Sequence, residues 1–318
     1  MDNSSPFTLL ENSSWNDYEL LDSGDGQKLE RFGSYTFIRP EIQAMWKRAL
    51  REKEWANAHA TFQPTNEESG GHWVFNEKVP ERWEMRYDLN TKAEQGPEKG
   101  RGQIRFWAMT TPGRHLGVFP EVAPHWDFMT EAIHKSILRP EGDQQGVIKV
   151  LNLFGYTGLA SLAAVSAGAQ VTHVDASKKS LNWARENQTL SKLEDKPIRW
   201  ILDDAVKFAE REGRRSALYD GIILDPPKFG RGPKGEVWEV YKSLPKLLED
   251  CRSILSDRPI FVIVTIYAVK ASAIHIGQVL QEMVKNIKGR MDYGELVTRE
   301  KSAGRLLSQA VYARWQFE

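Results

Sequence analysis

From about residue 147 to the end of the chain, short apolar runs alternate with amphipathic segments of helical periodicity. The runs "KVLNLF", "QVTHVD", "IRWILDD", "YDGIILD" and "PIFVIVTIY" have the length and composition of buried strands. Apolar strands separated by helices predict parallel βαβ units and a sheet covered on both faces. Two more strand-like stretches, "DYGELVT" and "LLSQAVYARWQF", follow each other directly and predict an edge hairpin. The sequence therefore predicts an α/β fold with a Rossmann-like, seven-stranded sheet.

Caps and periodicity predict the helices of this region. Ser177 is the predicted N-cap of a helix through "KKSLNWARENQTL". Longer helices are predicted over residues 237–255 and 271–288.

The first 120 residues have a different character. "DSGDGQKLERFGSYTFIRP" combines turn signals with short alternating segments, which predicts β structure. One helix is predicted over residues 42–55, and a polar hairpin tip or linker over residues 91–103. The many tryptophans here are expected to form a core rather than an RNA-stacking platform. We predict a β-rich N-terminal domain over residues 1–120, with a role in substrate recognition, and the domain that carries the site over residues 121–318.

Composition narrows the class of protein. Lysine plus arginine equals aspartate plus glutamate at 43 each, so nucleic-acid binding would depend on local patches. The single cysteine, Cys251, excludes an intrachain disulfide. No third ligand accompanies His115 and His125, which argues against a metal. The N-terminus lacks a signal-peptide pattern, and the apolar stretch at residues 260–269 is too short to span a bilayer. We expect a cytoplasmic protein with no metal and no membrane contact.

A strand-to-helix turn carries glycines at positions 155 and 158. Small residues there let a ligand approach the backbone, at the strand ends where open α/β sheets bind ligands. The G-x-x-G spacing does not match the G-x-G-x-x-G cradle for a pyrophosphate. Asp175 ends the next strand, where it can hold ribose hydroxyls, and Asp204 ends the third, where it can accept from an adenine amine. The alternative is that these glycines close a corner and these acids cap helices. Together the positions predict S-adenosylmethionine, an adenosine without a pyrophosphate.

The fourth strand runs into "DPPKFGRG" at residues 225–232. Asp225 and the carbonyl of Pro226 can accept from a nucleobase amine, and two prolines hold these acceptors in place. An aromatic side chain in this loop can stack on a base, and its lysines and arginine can meet phosphates. The alternative is a rigid turn followed by a solvated loop. We interpret this corner as catalytic, with the residues Asp225, Pro226, Pro227, Lys228 and Phe229.

The segments "NLFGYTGLAS", "HVDASKKSLNWARENQ", "DDAVKF" and "LDPPKFGRG", with "GVFPEVAPHWDF" before them, resemble a known family. It is the class I methyltransferases that act on 23S ribosomal RNA, whose best-known member methylates cytosine at C5. The resemblance is strongest to a short branch of ribosomal RNA methylases and covers residues 105–318 well. It implies a cofactor pocket lined by Phe119, Pro120, Glu121, Phe154, Gly155, Tyr156, Thr157, Gly158, Asp175, Ala176, Ser177, Asp204, Ala205 and Asp225.

One departure from that family bears on the chemistry. Transfer to cytosine C5 needs a thiolate that adds at C6, and the family carries this cysteine after the fifth strand. Here the segment reads "VIVTIYAVKAS", so Thr265 is followed by Ile266, Tyr267 and Ala268, none of which has a thiol. Cys251 lies in a predicted helix and is expected to be a core or surface residue. A nitrogen acceptor is therefore favoured.

These patterns predict an S-adenosylmethionine-dependent methyltransferase that modifies a nucleobase in ribosomal RNA. Two alternatives stay open at this stage. Neutral net charge favours a small molecule or a protein as substrate. A non-catalytic RNA-binding or assembly factor would use the same fold. The acceptor atom and the oligomeric state are open as well.

Overall fold

A computed structural model describes residues 7–12, 15–65, 70–89, 102–138, 146–267 and 270–318. The predicted tip or linker at residues 91–103 falls almost entirely outside these ranges. The strands are β1 (Phe7–Glu11), β2 (Tyr18–Gly24), β3 (Gln27–Phe32), β4 (Tyr35–Pro40), β5 (Ala60–Pro64), β6 (Gly71–Phe75), β7 (Trp83–Asp88), β8 (Gln103–Ala108), β9 (Lys149–Leu153), β10 (Gln170–Asp175), β11 (Ile198–Leu202), β12 (Gly221–Leu224), β13 (Phe229–Arg231), β14 (Val237–Glu239), β15 (Phe261–Ile266), β16 (Gly289–Arg299) and β17 (Leu306–Phe317). The helices are α1 (Glu52–Ala56), α2 (Ala123–Ile137), α3 (Leu159–Ser166), α4 (Lys178–Leu190), α5 (Ala205–Arg214), α6 (Val240–Ser253) and α7 (Ala273–Met283), with a 3-10 turn at Pro120–Val122.

The large sheet confirms the predicted α/β fold and adds one strand to it. Its order is β1-β16-β17-β15-β12-β9-β10-β11. The five strands from β15 to β11 are parallel, and β17 and β16 complete the predicted hairpin at one side. The eighth strand is β1, which pairs with β16 in parallel, so the start of the chain joins this sheet. The chain leaves β9 for β10 on one side and returns to β12 on the other. The switch in strand order lies between β9 and β12.

Alternate residues of the central strands enter two separate cores. Val150 and Ile223 pack in the core that contains α2 and α3, whereas Leu151 and Leu224 pack in the core that contains α5, α6 and α7. This follows from the two-residue repeat of a strand, because both faces of the sheet are covered. All four residues of β12 are buried, as are all six of β15. The apolar runs of the sequence therefore mark strands buried on both faces.

The predicted helices form, with some changes at their ends. Ser177 is confirmed as the N-cap of α4, and its side chain accepts from the Ser180 amide. The helix predicted from residue 237 begins at Val240, because Val237–Glu239 is a strand that pairs with Phe229–Arg231. The helix predicted to residue 288 ends at Met283, before the turn that leads into β16.

The N-terminal part is β-rich, as predicted. It contains a five-stranded sheet, β2 to β6 in chain order, and the antiparallel pair β7 and β8. Four tryptophans of the first 126 residues are buried, which confirms their expected place in a core: Trp15, Trp55, Trp83 and Trp126.

The helix predicted over residues 42–55 is wrong for most of its length, since only Glu52–Ala56 is helical. The amides of Ala49 and Leu50 donate instead to the buried carboxylate of Asp22, at 3.1 and 2.9 Å. Arg305 donates to the carbonyl of Lys47 at 2.9 Å. These distant partners satisfy the backbone groups that a helix would have paired internally. Among the described helices, none is both long and apolar enough to cross a membrane.

Candidate functional site

A cavity of about 1130 Å³ opens at the carboxyl ends of the central strands. It lies beside the switch between β9 and β12, where open α/β sheets bind ligands. Thirteen of the residues predicted for the site line it: Phe119, Pro120, Glu121, Phe154, Tyr156, Asp175, Ala176, Ser177, Asp204, Ala205, Asp225, Pro227 and Lys228. The strand order thus gathers side chains from four separate strand ends around one space.

The turn after β9 has a constrained backbone. Phe154 and Tyr156 have φ values of 60° and 51°, in the left-handed region that residues with a side chain seldom adopt. The carboxylate of Asp175 holds this turn, since Oδ2 accepts from the Tyr156 amide at 2.8 Å and Oδ1 from the Ser177 amide at 2.8 Å. Burial raises the pKa of Asp175, although these two hydrogen bonds each lower it in part. Each carboxylate oxygen keeps a lone pair, so Asp175 can also accept from ribose hydroxyls.

Asp204 follows β11 and caps α5. Its Oδ1 accepts from the Lys207 amide at 3.0 Å, and the residue is buried. The capping role and the predicted ligand role are compatible, because one carboxylate offers about four acceptor positions. Asp204 lines the same cavity as Asp175 and Ala205.

The glycines of the turn have a packing function. A Cβ on Gly155 would lie 2.3 Å from the ring of His173, and one on Gly158 would lie 2.8 Å from Ala184. Gly158 also has a φ of 86°. The neighbours that exclude a side chain at both positions are therefore protein atoms. Gly155 lines a smaller cavity of about 60 Å³ beneath the turn, and Gly158 lines neither cavity.

Thr157 and His125 also belong to the floor of the turn rather than to the large cavity. The Thr157 hydroxyl donates to the carbonyl of Gly117 at 2.7 Å, which ties the turn to the segment before α2. His125 is buried and lines the smaller cavity, beneath the turn. Among the described residues, no group of three potential metal ligands converges.

Three ionisable groups meet at the floor of the large cavity. The Oδ1 atom of Asp225 and the hydroxyl of Tyr267 are buried and have no hydrogen-bond partner among the described residues. Glu121 is buried beside them. Burial raises the pKa of Asp225 well above its usual range, and the charge of Glu121 raises it further. Burial likewise raises the pKa of Glu121 and of Tyr267. The site thus presents polar atoms that lack partners within the described chain.

Contacts other than its two prolines also hold the corner after β12. The indole of Trp238 donates to the carbonyl of Pro227 at 2.7 Å and packs 4.8 Å from the ring of Phe154. The strands β13 and β14 close the loop as a small hairpin. Pro226 and Phe229 do not line the cavity, and Phe229 is 54% exposed with the Lys228 ammonium 5.1 Å from its ring centroid. Phe229 therefore belongs to the outer surface of the corner.

The sequence did not predict several other residues that line the cavity. They are Lys28, Arg39, Arg114, His115, Gln309 and Tyr267. Arg39 binds Glu30 through two hydrogen bonds of 2.7 Å. Burial, then the charge of Arg39, lowers the pKa of His115 to about 3, so this imidazole is neutral. Alternation in β3 and β4 predicted strands but could not tell which strand end would face the site.

A structure of a SAM-dependent methyltransferase from Agrobacterium tumefaciens matches this chain along almost its whole length. The two are 42% identical, and the match covers 98% of this chain and 94% of the other, with a TM-score of 0.86. The chain belongs to the S-adenosylmethionine-dependent methyltransferases. A model of the S-adenosylmethionine-dependent methyltransferase family also matches residues 138–267. A SAM-dependent methyltransferase structure from Streptococcus mutans shares the fold at 17% identity, with a TM-score of 0.66 over 95% of this chain and 76% of the other.

Curated relatives of this methyltransferase are named ribosomal RNA large subunit methyltransferase K/L. That of Alteromonas mediterranea is 37% identical over 179 residues, which is 54% of this chain and 24% of the relative. That of Hahella chejuensis is 28% identical over 195 residues, 61% of this chain and 25% of the relative. The chain therefore spans about a quarter of the length of the curated relatives it matches.

The cavity of the methyltransferase fits its family's cofactor. Buried Asp204 and the backbone-bound carboxylate of Asp175 offer acceptors for an adenosine, at two adjacent strand ends. The turn after β9, beside Asp175, is held at left-handed φ values, and its helix begins at Leu159 without a glycine-rich phosphate cradle. This donor and acceptor set suits a nucleoside with a positively charged sulfonium better than a dinucleotide.

Proposed function

We propose that this methyltransferase transfers a methyl group to a nitrogen of a nucleobase in ribosomal RNA. The observation that carries the proposal is the buried Oδ1 of Asp225, which no donor of the described chain satisfies. Leaving a buried acceptor unpaired costs about 1–3 kcal/mol, so such atoms commonly await a ligand or water. A substrate N–H at the cavity floor would supply the missing donor.

In this reaction the chain itself has to align the substrate nitrogen with the methyl group and to accept a proton. Bound S-adenosylmethionine supplies a methyl group that its sulfonium makes electrophilic. Asp225 accepts from the substrate N–H and takes the proton that the nitrogen gives up. Burial and the Glu121 charge raise the pKa of Asp225, which makes its carboxylate a stronger base than an exposed aspartate. Pro226 and Pro227 restrict the backbone, so the carboxylate does not need to be ordered when substrate binds.

A nitrogen acceptor is supported over cytosine C5 by the position of the only cysteine. Cys251 lies in α6, is fully buried in the core formed with α5 and α7, and does not line the cavity. Burial raises the pKa of its thiol, so it is also a poor source of thiolate. The segment after Thr265, where the family carries its cysteine, reads Ile266, Tyr267 and Ala268 and has no thiol. The ring of Tyr267 packs 5.0 Å from that of Phe119. Methylation of cytosine at C5 is therefore not proposed for this chain.

RNA as the substrate is supported by the names of the curated relatives and by the rim of the cavity. Lys228 and Arg231 line the opening, and Phe229 is exposed beside them for stacking on a base. A ribosomal RNA substrate would place the protein in the cytoplasm.

We infer that the N-terminal region, residues 1–120, is the substrate-recognition domain. Lys28, Arg39 and Arg114 reach the cavity from β3, from β4 and from the segment after β8. The cavity is therefore lined both by the strand ends proposed to bind the cofactor and by this N-terminal region.

Neutral net charge supports a second candidate, methylation of a small molecule or protein, and one experiment separates the two. Ribosomal RNA from cells with and without the gene is digested to nucleosides and compared by mass spectrometry. The proposal expects one N-methylated nucleoside to disappear with the gene and to return on complementation. Identical nucleosides in both strains would favour the second candidate, and loss of 5-methylcytidine would overturn the nitrogen acceptor.

A further inference from the structure

Gln309 occupies an irregular position in β17. Leu296 of β16 pairs with Ala310, but the next residue, Val297, pairs with Ser308. Gln309 is thus the extra residue of a β-bulge and has no partner on β16. Bulges of this kind redirect a side chain and are common next to active sites. Here the redirected side chain lines the large cavity.

The orientation of the Gln309 amide is fixed by its neighbour. Lys28 donates from Nζ to Oε1 of Gln309 at 2.8 Å. Because an ammonium group can only donate, the oxygen must face Lys28, and the NH₂ group must face the other way. Lys28 is itself held by Glu30 and Glu41, at 3.7 and 3.6 Å. The buried lysine therefore fixes the orientation of the Gln309 amide.

The NH₂ group held in this way has no acceptor. Nε2 of Gln309 is buried and lacks a hydrogen-bond partner among the described residues. It is a donor, whereas the unpaired atom of Asp225 in the same cavity is an acceptor. A nucleobase with both an amine and a carbonyl oxygen or ring nitrogen offers a partner of each kind.

We propose that Gln309 is a specificity-determining residue that donates a hydrogen bond to a carbonyl oxygen or unprotonated ring nitrogen of the substrate base, with Lys28 as its positioning residue. The inference rests on the proposed function, since it takes the base of the RNA as the acceptor. It adds to that function a requirement on the substrate. The methylated base must present a hydrogen-bond acceptor in addition to the nitrogen that is methylated.

Two variants of similar size test this role. Gln309→Met removes the donor, and Gln309→Glu replaces it with an acceptor while keeping a partner for Lys28. Gln316 lies on the same strand, opposite Phe261 and Arg290 and outside the cavity, so Gln316→Met and Gln316→Glu are matched controls. The substrate is large-subunit ribosomal RNA purified from cells that lack the gene. The measurements are kcat and KM for methyl transfer, the affinity for S-adenosylhomocysteine by calorimetry, and the thermal midpoint.

We expect both Gln309 variants to lose roughly 10- to 100-fold in kcat/KM, as a buried polar group left unpaired would cause. Their affinity for S-adenosylhomocysteine and their thermal midpoints should match those of the controls. Retained kcat/KM in both variants would overturn the inference alone, and so would a parallel loss of cofactor affinity and stability. Absence of methyl transfer by the unchanged protein would overturn the proposed function and this inference with it.

Discussion

The backbone amide of Tyr156 donates a hydrogen bond of 2.8 Å to Oδ2 of Asp175. The end of β10 thereby holds the turn that follows β9, and Oδ1 of the same carboxylate holds the Ser177 amide at the start of α4. Burial of the aromatic ring, then the charge of Asp175, raises the pKa of Tyr156 to about 12, so the phenol is neutral in the physiological range. One acidic side chain thus organises both edges of the proposed ribose site before any ligand binds.

Asp175→Asn is expected to weaken S-adenosylhomocysteine binding by roughly 10- to 100-fold. An amide has one oxygen where the carboxylate has two, and hydrogen bonds to a charged group contribute about 1.5–3 kcal/mol. Isothermal titration calorimetry measures the change. Asp195→Asn is the matched control, because that side chain is 73% exposed and lies 3.5 Å from the ammonium of its neighbour Lys196. Unchanged affinity in Asp175→Asn would remove the ribose role.

Asp204→Ser should separate capping from ligand binding. Serine is nearly as good an N-cap as aspartate, so α5 keeps its cap and the free energy of unfolding should change by about 0.5 kcal/mol or less. The shorter hydroxyl cannot replace a carboxylate in the cavity, and affinity for S-adenosylhomocysteine should fall about 10-fold. Denaturant unfolding and calorimetry on the same preparation give both values. A fall in stability with no change in affinity would show that Asp204 is only a cap.

Glu121→Gln should shift the pH dependence of methyl transfer to lower pH. Asp225 accepts a proton in the proposed reaction, so kcat/KM rises as pH increases through its pKa. Burial is the largest cause that raises this pKa, and the negative charge of Glu121 is the second. Removing that charge lowers the pKa of Asp225 and moves the rising limb toward acid. Initial rates across a pH series check the shift, and a limb that stays in place or moves toward alkali would contradict the role assigned to the pair.

Lys228→Ala combined with Arg231→Ala should weaken RNA binding and reduce its salt dependence. Each phosphate contact contributes a slope of about 0.9 to the fall of log K with log salt, so losing two should reduce the slope by roughly 2. Fluorescence anisotropy with a ribosomal RNA fragment at several salt concentrations measures it. Lys285→Ala with Lys288→Ala, beyond the end of α7, is the control pair, because these lysines are exposed away from the cavity. Equal slopes for the two double variants would exclude rim contacts to phosphate.

The α/β half of the fold could be predicted because its information is local. Strands such as β15 are apolar at all but one position, and Ser177 precedes its helix as a cap should. The N-terminal prediction failed over residues 42–51, where Asp22 takes the backbone amides of Ala49 and Leu50. That carboxylate is 27 residues away from Ala49 in the chain, and a contact at this distance cannot be predicted from hydrophobic periodicity.

The acidic residues of the site were predictable for the same reason, and the lining residues Lys28 and Gln309 were not. Asp175, Asp204 and Asp225 each end an apolar run, so the parallel topology alone brings them to one edge. Lys28 and Gln309 are 281 residues apart, and their contact depends on a bulge that the sequence does not mark. The glycines at 155 and 158 were correctly assigned to a turn, but the side chains that require them, His173 and Ala184, became visible only in the fold.

Asp225→Asn tests the central claim most directly when methyl transfer and cofactor binding are measured on the same protein. The variant keeps the size of the side chain and an acceptor oxygen, but it cannot take a proton. We predict that transfer of labelled methyl groups to ribosomal RNA from cells lacking the gene falls by about 100-fold or more, while affinity for S-adenosylhomocysteine is retained. Methyl transfer at the rate of the unchanged protein would contradict the account.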